Sequence, residues 1–450
     1  MPYSGEVAGK TAQGDLVRSP LVQAFLNQCS YRRLPSAEEG AQIALSFVPA
    51  PYTDELPAYV LASDGSRADV IIDQHLPSTR LGFVKISQVM ISLEQELEIM
   101  GSGRYVDPGL VAELEQGADH VPLILPGSNV NYAGSEDVPQ GYRRALHDQL
   151  STRDSRFPGV LSHSEALLSL RAGSLQLSLC PACGEPRTDL TFTATTQVQA
   201  CPDCGRHLYA TDYLRLYEGI TEDGDISGMV TRAMNALEHL ILAQSLLVFR
   251  DQRVVALARM GFVVDGPLSL NGQPARLNSD LLRLTAELRD DLAARSLGEP
   301  LLLGLQKTGP LAEHARAACP YLPVGSLRLV DDAYRHRYVR EVPGVAFGYS
   351  THYGQDFIYK SSHDRVFVFS LPFPFAEKGT EKEFAAAKQA LTPESFPTLA
   401  RACAFIRHFQ TDLYQDALIP VALAHRHASI SVHPGGRVLE LLARQALDRT

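Results

Sequence analysis

Apolar residues in this chain change their spacing from one stretch to the next, and each spacing predicts an element. Between 15 and 48 they recur at helical intervals, Leu16, Leu21 and Phe25, then Ala41, Leu45 and Phe47, with Pro35 as the break, which predicts a helical arm. Pro49 to Pro57 reads as a connector. Ala58 to Ser63, Asp69 to Asp73 and Leu81 to Leu93 then read as strands separated by turns, the last alternating through GFVKISQVMIS. Residues 94 to 175 read as loop-rich, with amphipathic helical pieces at Pro108 to Glu115 and Gly141 to Leu150. Ile226 to Phe249 predicts a long helix, continued by Gln252 to Met260, and Gly261 hands over to a strand that ends at Asp265. Ser279 to Ala294 predicts a helix, Leu301 to Gln306 a strand of the continuous-apolar type, and a further helix runs through Ala318 after Lys307. That succession implies parallel α/β packing. Phe357 to Tyr359 and Arg365 to Leu371 read as strands, Ala385 to Leu391 and Phe396 to Phe409 as helices, with helix 416 to 428 and strand 429 to 433 closing the chain.

Composition narrows the class. The 450 residues exceed one ordinary hydrophobic core, so a large elaborated domain is expected. With 45% hydrophobic and 20% charged residues the chain is globular rather than disordered. No apolar run reaches the length of a membrane span, and MPYSGEVAGKTAQGD lacks the layout of a signal peptide, so a cytoplasmic protein with no membrane association is expected. A net charge of −10 argues against coating nucleic acid by charge alone. Local basic stretches such as RHRYVR at 335 to 340 can still follow a strand.

Of the seven cysteines, Cys29, Cys319 and Cys403 stand alone. The other four form Cys180-Pro-Ala-Cys183-Gly and Cys201-Pro-Asp-Cys204-Gly, separated by a Thr- and Gln-rich stretch that reads as a hairpin. Two residues between cysteines let both thiolates reach one tetrahedral ion, and the following glycine permits the tight turn. This pattern predicts a structural zinc ribbon over 176 to 212. Four protein ligands leave no open position for catalysis.

Asp64-Gly65-Ser66 and Asp265-Gly266-Pro267 each follow a short apolar run. A carboxylate at the end of a buried strand is costly unless a cation meets it, and two such ends side by side would hold a divalent metal. Asp-Gly is also a common turn, so the weight rests on the pair. Glu238 lies on the long helix against Met234, Ile241 and Leu242, where a buried carboxylate calls for a metal. Glu94, Glu96 and Asp73 are its rivals. His425 and His427 lie two apart on a helix and point apart, so one of them can face a metal. Lys307, leaving a buried strand, can meet a phosphate's developing charge.

Together, Asp64-Gly65-Ser66-Arg67, Asp265-Gly266-Pro267-Leu268, LGLQKT at 303 to 308 and ALAHRHASIS near the end resemble the NurA nuclease family. The similarity spans most of 57 to 434 in order, with the ribbon as an insertion. The resemblance implies an RNase H-like, or Piwi-like, mixed α/β core divided into a helical arm at 1 to 56, core segments at 57 to 175 and 213 to 450, and the ribbon between them. It further implies a manganese- or magnesium-dependent nuclease acting on DNA, a homodimer, and a hexameric HerA-type ATPase as partner, in DNA repair or defence against phage. Asp64 and Asp265 match the family's metal aspartates, Glu238 its helix glutamate and His425 its C-terminal histidine. The family often carries a tyrosine before that histidine, and Tyr414 is the one nearby here. From a different class, the rival expectation is a non-catalytic subunit that docks on the ATPase or binds nucleic acid through the ribbon.

Overall fold

The computed structural model describes residues 14, 16–29, 33–73, 75–93, 118–153, 160–339, 346–410, 418–430, 438–439 and 442–443. The arm forms α1 (Pro20–Gln28) and α2 (Ala37–Ala44), the latter opened by a capping box in which Ser36 and Glu39 satisfy each other's amides. β1 (Val48–Pro49) leads to β2 (Tyr59–Asp73) and β3 (Leu76–Ser92), which pair antiparallel, and β4 (Ala118–Pro126) adds to β3. α3 (Val138–Ser151), α4 (His163–Leu170) and the small strands β5 (Ser174–Gln176), β6 (Thr191–Thr193), β7 (Val198–Ala200) and β8 (His207–Tyr209) follow. α5 (Ser227–Gln252), a single helical turn at Val254–Leu257, β9 (Met260–Asp265), α6 (Arg276–Ala294), β10 (Leu301–Gln306) and α7 (Pro310–Ala318) come next. β11 (Ser326–Leu329), β12 (Gly354–Lys360), β13 (Val366–Pro372), α8 (Glu381–Gln389), α9 (Leu399–Phe409) and α10 (Ile419–Ala428) complete the order.

One nine-stranded mixed sheet organises these elements, in the order β1-β11-β12-β13-β10-β9-β2-β3-β4. β9 pairs parallel with both β2 and β10, and the flanking pairs are antiparallel. Strand alternation sorts the side chains onto two faces. Leu61, Val84, Ile86, Phe262, Val264 and Leu302 pack against α5 and α6, whereas Val60, Ala62, Val263, Leu301, Leu303 and Leu305 pack against α9 and α10. Burial on both faces explains why β9 and β10 are continuously apolar in sequence. Among the described residues, no helix is long and apolar enough to cross a membrane.

Several expectations change. The strands expected at 58–63 and 69–73 are one strand, because β3 pairs with β2 from Tyr59 to Asp73 and leaves the backbone no reason to turn at Asp64-Gly65. Gly65 does not take the positive φ that an Asp-Gly turn requires. Two strands add to those the sequence predicts: β11, and β4, which forms in the loop-rich stretch as an edge strand whose Ile124 amide and carbonyl are both met by the Gln149 side chain. Ser429 and Ile430 are not strand, and 431–433 lies outside the described residues, as does Pro108 to Glu115.

α1 buries none of its residues, and Leu21 and Phe25 are 79% and 67% exposed, whereas Phe262 is fully buried between the sheet and α5. Phe262→Ala is therefore expected to cost about 3–5 kcal/mol in chemical denaturation, and Phe25→Ala less than about 0.5 kcal/mol. Comparable losses from the two would mean that α1 is packed in solution.

Candidate metal centres

β2 runs past the point where its parallel neighbours stop. The last β2–β9 pair is Ser63 with Val264, and β9 ends at Asp265 opposite Leu305 of β10. Gly266 then takes φ +129° while its amide still donates to the Leu305 carbonyl, so the chain leaves the sheet directly after the carboxylate. A notch results at the carboxyl ends of the parallel strands, the position where open α/β sheets take ligands. Asp64 shares the face of Val60 and Ala62, Asp265 that of Val263, and Lys307 that of Leu305, so all three side chains emerge toward α10.

There they meet His425. One ligand atom from each of Asp64, Asp265 and His425 lies within 4.8 Å of the others. His425 Nδ1 is 2.6 Å from Asp64 Oδ2, and Lys307 Nζ is 2.6 Å from Asp265 Oδ2. Three donors around one octahedral ion at roughly 2.1 Å lie about 3–4 Å apart, so the spacing suits such an ion. The mixed carboxylate and imidazole set is one that could bind a divalent metal ion. The imidazole is 61% exposed, which leaves the cluster open to solvent, while Asp64 is buried.

Glu238 stands just outside that set. It projects from α5, on the other face of the sheet, and its carboxylate accepts the Gly65 amide. A β-carbon at Gly65 would lie 2.6 Å from Glu238 Oε1 and 2.8 Å from Met234 Cγ, so glycine is required there by close approach. Burial pushes the Glu238 carboxyl well above its usual range, and the charges of Asp64 and Asp265 add to the effect. Burial, followed by the charge of Asp265, likewise raises Asp64 to about 6, against the pull of His425 and Lys307.

The Asp-Gly dipeptide is thus something other than a turn: Asp64 is mid-strand, and its glycine clears space for the distant Glu238. Sequence inspection missed Ser66, whose Oγ accepts the Ile430 amide and ties the exit of α10 to β2. Nothing in the local sequence marks it. Asp73 lies at the hairpin's far end, about 30 Å along β2 from Asp64 at 3.3 Å per residue. His427 faces His120, with ring centroids 6.1 Å apart, rather than the carboxylates. Glu94, Glu96 and Tyr414 lie outside the described residues.

The four paired cysteines form a second donor set. Cys180 Sγ to Cys204 Sγ and Cys183 Sγ to Cys201 Sγ are each 3.8 Å, and all four sulfurs lie within 4.8 Å. Tetrahedral coordination at about 2.3 Å places sulfurs about 3.8 Å apart, while a disulfide requires about 2.05 Å. Gly184 and Gly205, at φ +78° and +72°, close the two turns by donating to the Cys180 and Cys201 carbonyls. The ribbon is welded to the rest: Cys180, Phe192, Cys201 and Leu208 belong to the core that includes α4 and α5. Arg143 of α3 holds Asp212 through two hydrogen bonds, of 2.8 and 2.6 Å, in a fully buried pair.

No protein-family model matches the chain, and no curated protein does. Among solved structures, the crystal structure of the NurA nuclease from Sulfolobus solfataricus aligns over 98% of this chain and 99% of that one, at 8% identity and a TM-score of 0.35.

Two expectations follow from the geometry. The folded chain holds a proton on Asp64 up to about pH 6, whereas the unfolded chain releases it near pH 4. This group's contribution to stability therefore falls as pH rises from about 4 to 6, and the penalty, on the order of 3 kcal/mol, is complete above 6. Asp64→Asn should accordingly raise the melting temperature of the metal-free protein at pH 7.5 and have little effect at pH 4. A lower melting temperature at pH 7.5 would contradict the clustered geometry. Purified protein should also carry one zinc per chain by elemental analysis, unaffected by Asp265→Asn and lost with Cys180→Ser, which should unfold by several kcal/mol more easily. A zinc-free but fully stable protein would exclude the structural role.

Proposed function

We propose that this chain is a divalent-metal-dependent deoxyribonuclease of the NurA type, with an RNase H-like core, which hydrolyses phosphodiester bonds in DNA. The observation that carries this reading is the meeting of Asp64 with His425, 361 positions away, beside Asp265 and above Glu238, in a notch open to solvent. Asp64, Asp265 and Glu238 hold manganese, or magnesium, and His425 joins them or moves a proton at the reacting water. Bound there, such ions would supply the charge that activates water and stabilises the leaving oxygen of a two-metal displacement. Lys307, 2.6 Å from Asp265 at the edge of the notch, is placed to meet a phosphate oxygen. The ribbon, with zinc, serves as scaffold.

The family resemblance extends the proposal to a homodimer working with a hexameric HerA-type translocase, in DNA end processing or anti-phage defence. A chain of net charge −10 engages DNA weakly alone, so the partner's feeding of the strand would raise activity. One observation favours a second reading, a non-catalytic subunit on the same fold: Lys307 already sits on Asp265 at 2.6 Å as a built-in cation.

Asp265→Asn should lower manganese-dependent degradation of linear DNA on the order of 10³-fold, the loss of several kcal/mol of transition-state stabilisation, with the fold intact by circular dichroism. RNA assayed alongside identifies the sugar preference. Wild-type rates in that variant, or calorimetry showing no manganese bound by a chain that still associates with the ATPase, would replace the nuclease with the docking subunit.

A further inference from the structure

We propose that the groove bounded by residues 33–43, α7 and Tyr338 is a binding site for single-stranded nucleic acid, placed to lead a strand toward the carboxylates; its substrate role rests on the nuclease reading above. The groove encloses about 760 Å³, lined by Arg33, Glu39, Glu313, His314, Arg337 and Tyr338 among others. Its floor is aromatic. The His314 and Tyr338 rings stack at 5.8 Å and 18°, and His314 Nε2 is 2.8 Å from the Tyr334 hydroxyl, which fixes the imidazole plane. The Arg337 guanidinium lies 5.0 Å from the Tyr338 ring centroid. Stacked rings beside a planar cation are what an unpaired base recognises.

Local backbone geometry supports the assignment. Arg335–Val339 is a π-helical turn, a conformation that recurs at functional sites. Within it Arg335 is buried and paired with Asp356, while Arg337 stays exposed and Tyr338 half-exposed. The basic run at 335–340 therefore does not offer all its cations to a phosphate backbone. The lining carries two arginines and two glutamates, with Glu39 held in the capping box of α2 and Arg337 donating to Gln42 at 2.7 Å. A lining with no net positive balance cannot hold duplex through its phosphates, so stacking must supply the affinity. That selects unpaired bases.

Position connects the groove to the notch. Pro310, which lines the groove, follows Lys307 by three residues, a reach of at most about 11 Å. Arg316 of α7 donates to the Lys307 carbonyl at 2.9 Å, fixing that link. α7 packs on Val366 and Val368, on the sheet face opposite α10, so a strand lying in the groove rounds the carboxyl end of β10 to reach Asp265.

The test is fluorescence anisotropy of a labelled oligothymidine in buffer without manganese or magnesium, so that cleavage plays no part while the cysteine site keeps its metal. Tyr338→Ala should weaken binding about 5- to 100-fold and Tyr338→Phe less than about twofold, since the ring survives. Arg337→Ala should reduce the salt dependence of binding by about 0.7 in log–log slope. Unlabelled duplex should compete poorly. Equal binding by wild type and Tyr338→Ala, equal losses in the alanine and phenylalanine variants, or duplex competing as well as single strand each overturns the groove. If the chain degrades DNA with manganese while any of these holds, the nuclease reading survives without the groove. If the groove binds as expected and manganese elicits no cleavage, the groove stands and the nuclease reading falls.

Discussion

Three carboxylates crowded at one notch are the constraint on which the surrounding structure depends. Asp64 and Glu238 are buried, Asp265 lies beside Asp64, and burial with mutual repulsion raises the first two. Burying a charge without a partner costs several kcal/mol, so the fold supplies compensation from every side. Lys307 meets Asp265, His425 meets Asp64, and the Gly65 amide meets Glu238. These partners come from the residue after β10, from α10 and from β2, so tertiary elements distant in sequence are fixed relative to one another by the need to offset the same negative charge. A cluster of carboxylates that is costly when empty is one that could bind a divalent metal ion.

The sheet provides the notch through unequal strand lengths. β9 and β10 stop after six residues each while β2 continues for fifteen, and β3 follows it throughout. Alternation then decides the faces: Asp64 and Asp265 point toward α10, and Gly65 points toward α5. Because Gly65 has no side chain, Glu238 can reach the notch from the opposite face. A one-residue slip of β2 against β9 would reverse this assignment and move both aspartate and glycine to the wrong side. The ribbon contributes at a distance. Its two turns close a cysteine cage whose buried residues belong to the same core as α5, the helix that carries Glu238.

By itself, the sequence determined what local physics determines. Continuous apolar runs marked β9 and β10, helical spacing marked α5 and α6, and the CPxCG pairs announced a four-sulfur cage. Asp265 was legible because its strand does end there. Asp64 was singled out for a reason the tertiary structure replaces: Asp-Gly reads as a turn in any short window, and only β3, arriving from beyond the next hairpin, keeps the backbone extended through it. Which side chains meet was decided by packing alone. The bond between Asp64 and His425, the seat of Glu238 over Gly65, the pairing of Lys307 with Asp265 and the tether from Ser66 to Ile430 all depend on strand register and helix placement, and these are properties of the whole fold rather than of any segment.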